Sequence, residues 1–210
     1  GLGDVYKRQA VASLVPAGAR VADVGCDHGY VCAYLVSKGI ALSAVATDVH
    51  AGPLHSCQSL IDTMGLRSVI DVRLCNGLEA VDAAECDTVI LAGMGGELIA
   101  EILGACPYIK EKTLILQPMT HAEAVRQFLF ENGFFIDTDR IVAEGRRHYN
   151  VLRALPGSEP IHYSQADLYL GNITDFSDTE YFVRLLHTLE NKQKGGADYS
   201  AVIDRIKEKL

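Results

Sequence analysis

VADVGCDHGY, residues 21–30, begins as an apolar run of strand length and ends in a turn holding two glycines, a carboxylate and an imidazole. The run reads as a buried strand and the turn as a ligand loop entering a helix. Upstream, AVASLVPAGARV reads as the end of a helix, a turn at Pro16–Gly18 and the start of that same strand.

The alternation repeats along the chain. Strands are predicted at 19–25, 42–48, 69–74, 87–93, 112–118, 134–143 and 148–155. Helices are predicted near 29–38, 52–64, 77–84, 95–104 and 120–132. Continuous apolar strands separated by helices imply a parallel sheet covered on both faces. The last two strands are separated only by Glu144-Gly145-Arg146-Arg147, which predicts a closing antiparallel hairpin. The expected fold is therefore α/β: a seven-stranded, mostly parallel, Rossmann-like sheet of the methyltransferase arrangement, ending in that hairpin. After Glu159 the pattern changes. Tyr181, Phe182, Leu185, Leu186 and Leu189, then Tyr199, Val202, Ile203, Ile206 and Leu210, recur at helical spacing. They predict a two-helix, coiled-coil-like appendage joined through Gly195-Gly196. The expected division is 10–157 for the sheet domain and 158–210 for the helical hairpin. Residues 1–9, GLGDVYKRQ, do not join smoothly to the AVASLV segment after them and are expected to be non-native.

The chain has 210 residues, 49% of them apolar and 22% charged, as in ordinary globular proteins. No apolar run reaches membrane-span length and no leader pattern is visible, which predicts a cytoplasmic protein with no membrane association. The six cysteines form no CxxC pair, so they are expected to be reduced and mostly buried, with no metal site. A metal hydrolase built on Asp27, His28, Asp48, His50 and His55 lacks tight ligand spacing. The net charge of −8 opposes non-specific nucleic-acid binding, so such a partner needs local basic contacts. Candidates are Arg140, Arg146, Arg147 and Arg153 with His148, and Arg184, Lys192, Lys194, Arg205, Lys207 and Lys209 on the appendage.

The loop chemistry narrows the ligand. In a dinucleotide turn, GxGxxG, the middle glycine lets the backbone meet a pyrophosphate. Here Asp27 stands in that place, and a carboxylate would repel phosphate. S-adenosylmethionine carries a sulfonium and an ammonium instead, and Asp23 and Asp27 suit those cations. Asp27 equally fits a helix N-cap. Asp48, about 20 residues past the turn, suits a ribose, which both cofactors contain, or a cap for the next helix. Asn76-Gly77 follows strand three, where a small polar residue can meet an adenine edge; a plain turn satisfies the same spacing. Gly93-Met94-Gly95-Gly96 ends strand four and implies close backbone approach by a ligand, with a phosphate nest as the rival. Gln117-Pro118 ends strand five on the same rim, where Gln117 either orients a base edge or serves the loop.

LVPAGARVADVGCDHGY, TDVHAGPLHS, NGLEAV, TVILAGMGGELIAEIL, LILQPM and FENGFFIDTDRIVAEGRRHYNVL together resemble the bacterial tRNA (adenine(22)-N(1))-methyltransferases, from about Ala10 to the C-terminus. The resemblance implies S-adenosyl-L-methionine as cofactor, S-adenosyl-L-homocysteine as product and tRNA as partner; no obligatory protein partner is evident in the sequence. It implies methylation at N1 of an adenine in the D-arm region, with the helical hairpin helping to hold tRNA. Carried over by position, cofactor contacts fall on Asp23, Gly25, Asp27, His28, Asp48, Asn76, Gly77 and Gly93. The catalytic candidates are Asp27, to meet the charge developing on adenine, His28, to hold Asp27, and Tyr30, to stack on the base. Substrate contacts are expected at Met94, Gly95, Gln117, Pro118, Arg146 and Arg147. The alternatives are another RNA or a small molecule as substrate, or a non-catalytic RNA-binding protein of the same fold.

Overall fold

A computed structural model describes residues 3–210. The elements run α1 (Gly3–Ala12), β1 (Ala19–Val24), α2 (Tyr30–Ser37), β2 (Ala41–Asp48), α3 (Ala51–Thr63), β3 (Ile70–Leu74), β4 (Thr88–Met94), α4 (Gly96–Ala105), β5 (Thr113–Pro118), α5 (Ala122–Glu131), β6 (Phe135–Glu144), β7 (Arg147–Leu155), α6 (Gln165–Leu170), α7 (Thr179–Lys194) and α8 (Ser200–Lys207). A single 3-10 turn, Ile109–Glu111, precedes β5. Of the segment expected to be non-native, residues 1 and 2 lie outside the described residues, and residues 3–9 form the first turns of α1.

The sheet order is β3-β2-β1-β4-β5-β7-β6. Strands β1 to β5 pair in parallel, and β7 runs antiparallel between β5 and β6. Val21, Ile90 and Ile115 pack on one face and Ala22, Leu91 and Leu116 on the other, so both faces are apolar. That is why the central strands read as unbroken apolar runs rather than alternating ones. Five of the six cysteines are buried, and Cys75 is half-buried. No helix among the described residues is long and apolar enough to cross a membrane.

The helix expected near 77–84 does not form. Between β3 and β4 the chain makes turns instead. Its carbonyls go to distant side chains rather than to a helical ladder. Arg73 Nη1 donates to Ala80 O (2.6 Å), the Tyr108 hydroxyl to Val81 O (2.6 Å) and Lys112 Nζ to Ala83 O (2.7 Å).

The appendage has three helices rather than two. Helix α6 is closed by a capping box between Ser164 and Asp167, and its Ala166 and Leu170 join Phe182, Leu189, Val202 and Ile206 in a separate small core. A buried ion pair ties this unit to the sheet domain. Arg126 of α5 holds Asp139 of β6 through two bonds (2.8 and 3.0 Å), and its Nη1 donates to Leu168 O and Tyr169 O of α6. Gly171 follows at φ 53°, and a Cβ there would overlap both charged groups.

Candidate active site

The loops that follow β1 to β5 emerge at the carboxyl rim of the parallel strands, on either side of the β1/β4 step where the strand order reverses. That crevice is where open α/β sheets bind ligands. A cavity of about 560 Å³ opens there, walled by Asp23, Gly25, Asp27, His28, Tyr30 and Ala92 among others. Lys7 and Arg8 of α1 close one side.

The β1 turn is shaped by three left-handed residues: Gly25 (φ 70°), Asp27 (φ 52°) and Gly29 (φ 73°). Gly25 N and Cys26 N both donate to Thr47 O (2.8 and 2.9 Å), which fastens the turn to β2. A Cβ on Gly29 would overlap Cys57 Sγ, so only glycine fits there. Asp27 is not a glycine, and a left-handed conformation is uncommon for other residues. It does not cap α2, whose N-cap is Gly29 without a side-chain bond. Its carboxylate is 73% exposed at the cavity, with Oδ1 3.5 Å from His28 Nε2. The His28 ring in turn lies 5.9 Å from that of Tyr30, at 56°. The Arg8 guanidinium sits 4.5 Å from the Tyr30 centroid.

Asp23 sits deeper. It is buried, and the Cys32 thiol donates to its Oδ2 (3.3 Å). Burial raises its pKa from 3.8 to about 6; the thiol lowers it and the nearby Asp48 raises it. A thiol is a weak donor, so at neutral pH the cavity floor holds a poorly compensated negative charge. This donor set fits a cationic ligand and opposes a phosphate.

Asp48 accepts from His50 N (2.9 Å) through Oδ1, which also lies 3.3 Å from His50 Nδ1. It thus shapes the entry to α3, whose N-cap His50 makes no side-chain cap. Asn76 and Gly77 do not wall the main cavity. They line a smaller one of about 170 Å³ beside Ile102 of α4. Thr47 Oγ1 donates to Gly77 O (2.9 Å), so Thr47 holds both this turn and the β1 turn. The glycines after β4 divide by role. Gly93 is left-handed (φ 84°) and a Cβ there would meet nothing closer than Lys7 Nζ at 3.6 Å. Gly95 is the N-cap of α4, and a Cβ on Gly96 would overlap the carbonyl of His121, so Gly96 serves packing against the next loop. Met94 O accepts from Met119 N (2.9 Å), and a Cβ on Gly25 would lie 2.8 Å from Met94 Cε. Gln117 is fully buried: its Oε1 accepts from Gly93 N (2.9 Å) and its Nε2 donates to Pro118 O (3.2 Å). Of the two roles open to Gln117, the geometry is that of a brace for the β4 loop. Pro118 is buried beside it.

Arg146 and Arg147 are exposed at the β6–β7 tip. Leu116 of β5 pairs with Leu152 of β7, so the hairpin runs on past the end of β5 and carries both arginines beyond the carboxyl rim. Two other basic candidates are engaged elsewhere. Arg140 Nη2 donates to Ser13 Oγ (2.6 Å), and Arg153 binds Asp137 and Leu14 O. Arg140 Nη2 also donates to Ala10 O, so the two arginines tie the end of α1 and the turn after it to the hairpin.

Sequence reasoning missed Cys32 and Thr47. A threonine inside an otherwise apolar strand, next to Asp48, was the available signal for the second.

The sheet order, the acid-floored crevice and the left-handed loop define a Rossmann-like methyltransferase domain. A family profile described as "Methyltransferase domain" matches residues 6–152. The chain is 37% identical over 165 residues to the Bacillus subtilis tRNA (adenine(22)-N(1))-methyltransferase, covering 78% of this chain and 69% of that protein. The crystal structure of the B. subtilis m1A22 tRNA methyltransferase TrmK superposes with TM-score 0.79 at 30% identity, covering 96% of this chain and 92% of that one. A Streptococcus pneumoniae protein solved in complex with S-adenosyl-L-methionine gives TM-score 0.85 at 31% identity, covering 96% and 97%. This chain belongs to the tRNA (adenine(22)-N(1))-methyltransferase family.

Proposed function

We propose that the protein transfers a methyl group from S-adenosyl-L-methionine to N1 of adenine 22 in the D-arm region of tRNA. The observation that carries this is the buried, poorly compensated Asp23 beneath an exposed Asp27 in one cavity at the strand-order reversal. When bound, the cofactor supplies a methyl on a sulfonium; the N1 lone pair takes it, the C–S bond breaks and S-adenosyl-L-homocysteine leaves.

The chain's own contribution is placement, worth up to roughly 7–11 kcal/mol in such reactions. Asp23 draws in the cationic end of the cofactor, and Gly25 and Gly93 let it approach the backbone. Asp48, at the end of β2, is assigned to the ribose, and Asn76 with Gly77, in the smaller cavity, to the adenine edge. Asp27 faces the positive charge that grows on the methylated base, or takes a proton from its N6, while His28 limits where that carboxylate points. Tyr30 gives the base a stacking surface. Met94 and Gly95 border the entering base, and Gln117 with Pro118 keeps their loop in place. The target adenine must leave its stack to enter.

Residues 10–157 form the catalytic domain and residues 158–210 hold tRNA, with Arg146 and Arg147 meeting phosphates beyond the rim. A tRNA substrate places the activity in the cytoplasm. The test is methyl transfer to an unmodified tRNA transcript, read by nucleoside mass spectrometry. The expected product is 1-methyladenosine, absent when adenine 22 is changed to guanine. No product in the presence of confirmed cofactor binding would move the substrate to another RNA or a small molecule, or leave a non-catalytic RNA-binding protein.

A further inference from the structure

A second cavity of about 370 Å³ adjoins the first, and Tyr30 and Val31 line both. Its walls are Tyr30, Ala33 and Tyr34 of α2 and Leu60 and Met64 from the end of α3. Tyr30 and Tyr34 stand one helical turn apart and so share a face. Tyr30, Tyr34 and Met64 are 48%, 41% and 44% exposed. Arg8 and Gln9 close the cavity from α1.

We propose that this cavity seats a nucleobase flanking the target adenine, stacked on Tyr34. The proposal rests on the function inferred above. Three observations favour a base. The cavity adjoins the one that admits the reacting adenine, sharing Arg8, Tyr30 and Val31 with it, and an adenine drawn out of its stack brings its covalent neighbours with it. Its volume lies within the roughly 300–1,000 Å³ range of small-ligand sites. Its walls include two aromatic rings and a thioether, and aromatic stacking is how unstacked RNA bases are generally held. Charge points the same way. The chain carries −8, and Arg184, Arg205 and Lys207 are paired with Glu180, Asp167 and Glu190. These acids compete with phosphate for the appendage's cations, and stacking is a source of affinity that they do not oppose.

The test is a double-mutant cycle on the full chain. Tyr34→Ala is crossed with transcripts carrying an abasic residue on the 5′ or the 3′ side of the target adenine. For one of the two transcripts, each single change should raise KM for tRNA about ten-fold or more. The pair together should cost no more than either alone. The cofactor Kd and kcat should stay near wild type, and Tyr34→Phe should retain the low KM. A wild-type KM for Tyr34→Ala, or losses that multiply for both transcripts, would overturn the subsite. If Tyr34→Ala weakens cofactor binding as well, Met64→Glu on the opposite wall enters the same cycle under the same criteria. No 1-methyladenosine from wild type with the intact transcript would instead overturn the parent function, and this subsite with it.

Discussion

Asp23 and Asp27 lie four positions apart and face opposite problems. Asp23 is buried, and its folded pKa of about 6 lies above the ordinary 3.8. Between those values the folded chain binds more protons than the unfolded one, so stability falls as pH rises through that window. By neutral pH the loss is about 3 kcal/mol. A cationic ligand recovers it. Cofactor affinity, measured by calorimetry between pH 5 and 8, should therefore rise as pH passes about 6 and then level off. Asp23→Asn should abolish that rise and weaken binding, while the ligand-free variant melts at a higher temperature than wild type at pH 7. Asp27 is exposed, and its difficulty is its left-handed backbone (φ 52°). Asparagine tolerates that conformation better than alanine, so Asp27→Asn removes the charge without straining the loop. It should lower kcat about 100-fold or more while weakening cofactor binding less than Asp23→Asn does. Normal turnover in this variant would remove Asp27 from the chemistry.

At the scale of elements, the contact between α5, β6 and α6 decides where the appendage sits. Arg126 and Asp139 are both buried, and each also bonds the α6 region, Asp139 Oδ2 accepting from Asn172 N (3.3 Å). Removing one partner leaves a buried charge, which costs roughly 3–5 kcal/mol. Arg126→Met should lower stability by about that amount in chemical denaturation and weaken tRNA binding more than cofactor binding. Gly171→Ala should act the same way through steric overlap with the pair. If the appendage holds tRNA, both variants lose tRNA affinity; equal loss of both ligands would mean that the sheet domain itself has come apart.

For the whole molecule, acidity and an RNA substrate are reconciled by economy of contact. Arg140 and Arg153 anchor α1, and most basic residues of the appendage pair with acids. What extends past the rim is the β6–β7 tip, with Arg146 and Arg147. tRNA affinity should fall with salt on a shallow slope, since each phosphate contact contributes roughly 0.7–0.9 to it. Replacing both arginines with alanine should weaken binding and flatten that slope by about 2. An unchanged slope would take the tip off the RNA.

The sequence by itself determined the strands, their mostly parallel order of use and the closing hairpin. Each is written in local patterns: unbroken apolar runs such as Val89–Leu91, and Gly145 at the turn. It also determined that the β1 loop disfavours phosphate, because Asp27 occupies the glycine position. Tertiary structure decided the rest. Residues 77–84 carry a helix-compatible pattern, yet Arg73, Tyr108 and Lys112 take their carbonyls from afar. Gln117 reads as a rim residue open to two roles, yet its amide is held by Gly93 and Pro118. The raised pKa of Asp23 comes from burial and, more weakly, from Asp48, against the lowering bond from Cys32, and all three are set by groups distant in sequence. Periodicity and turn chemistry act between near neighbours, whereas hydrogen-bond partners and desolvation are set by residues brought together only when the chain folds.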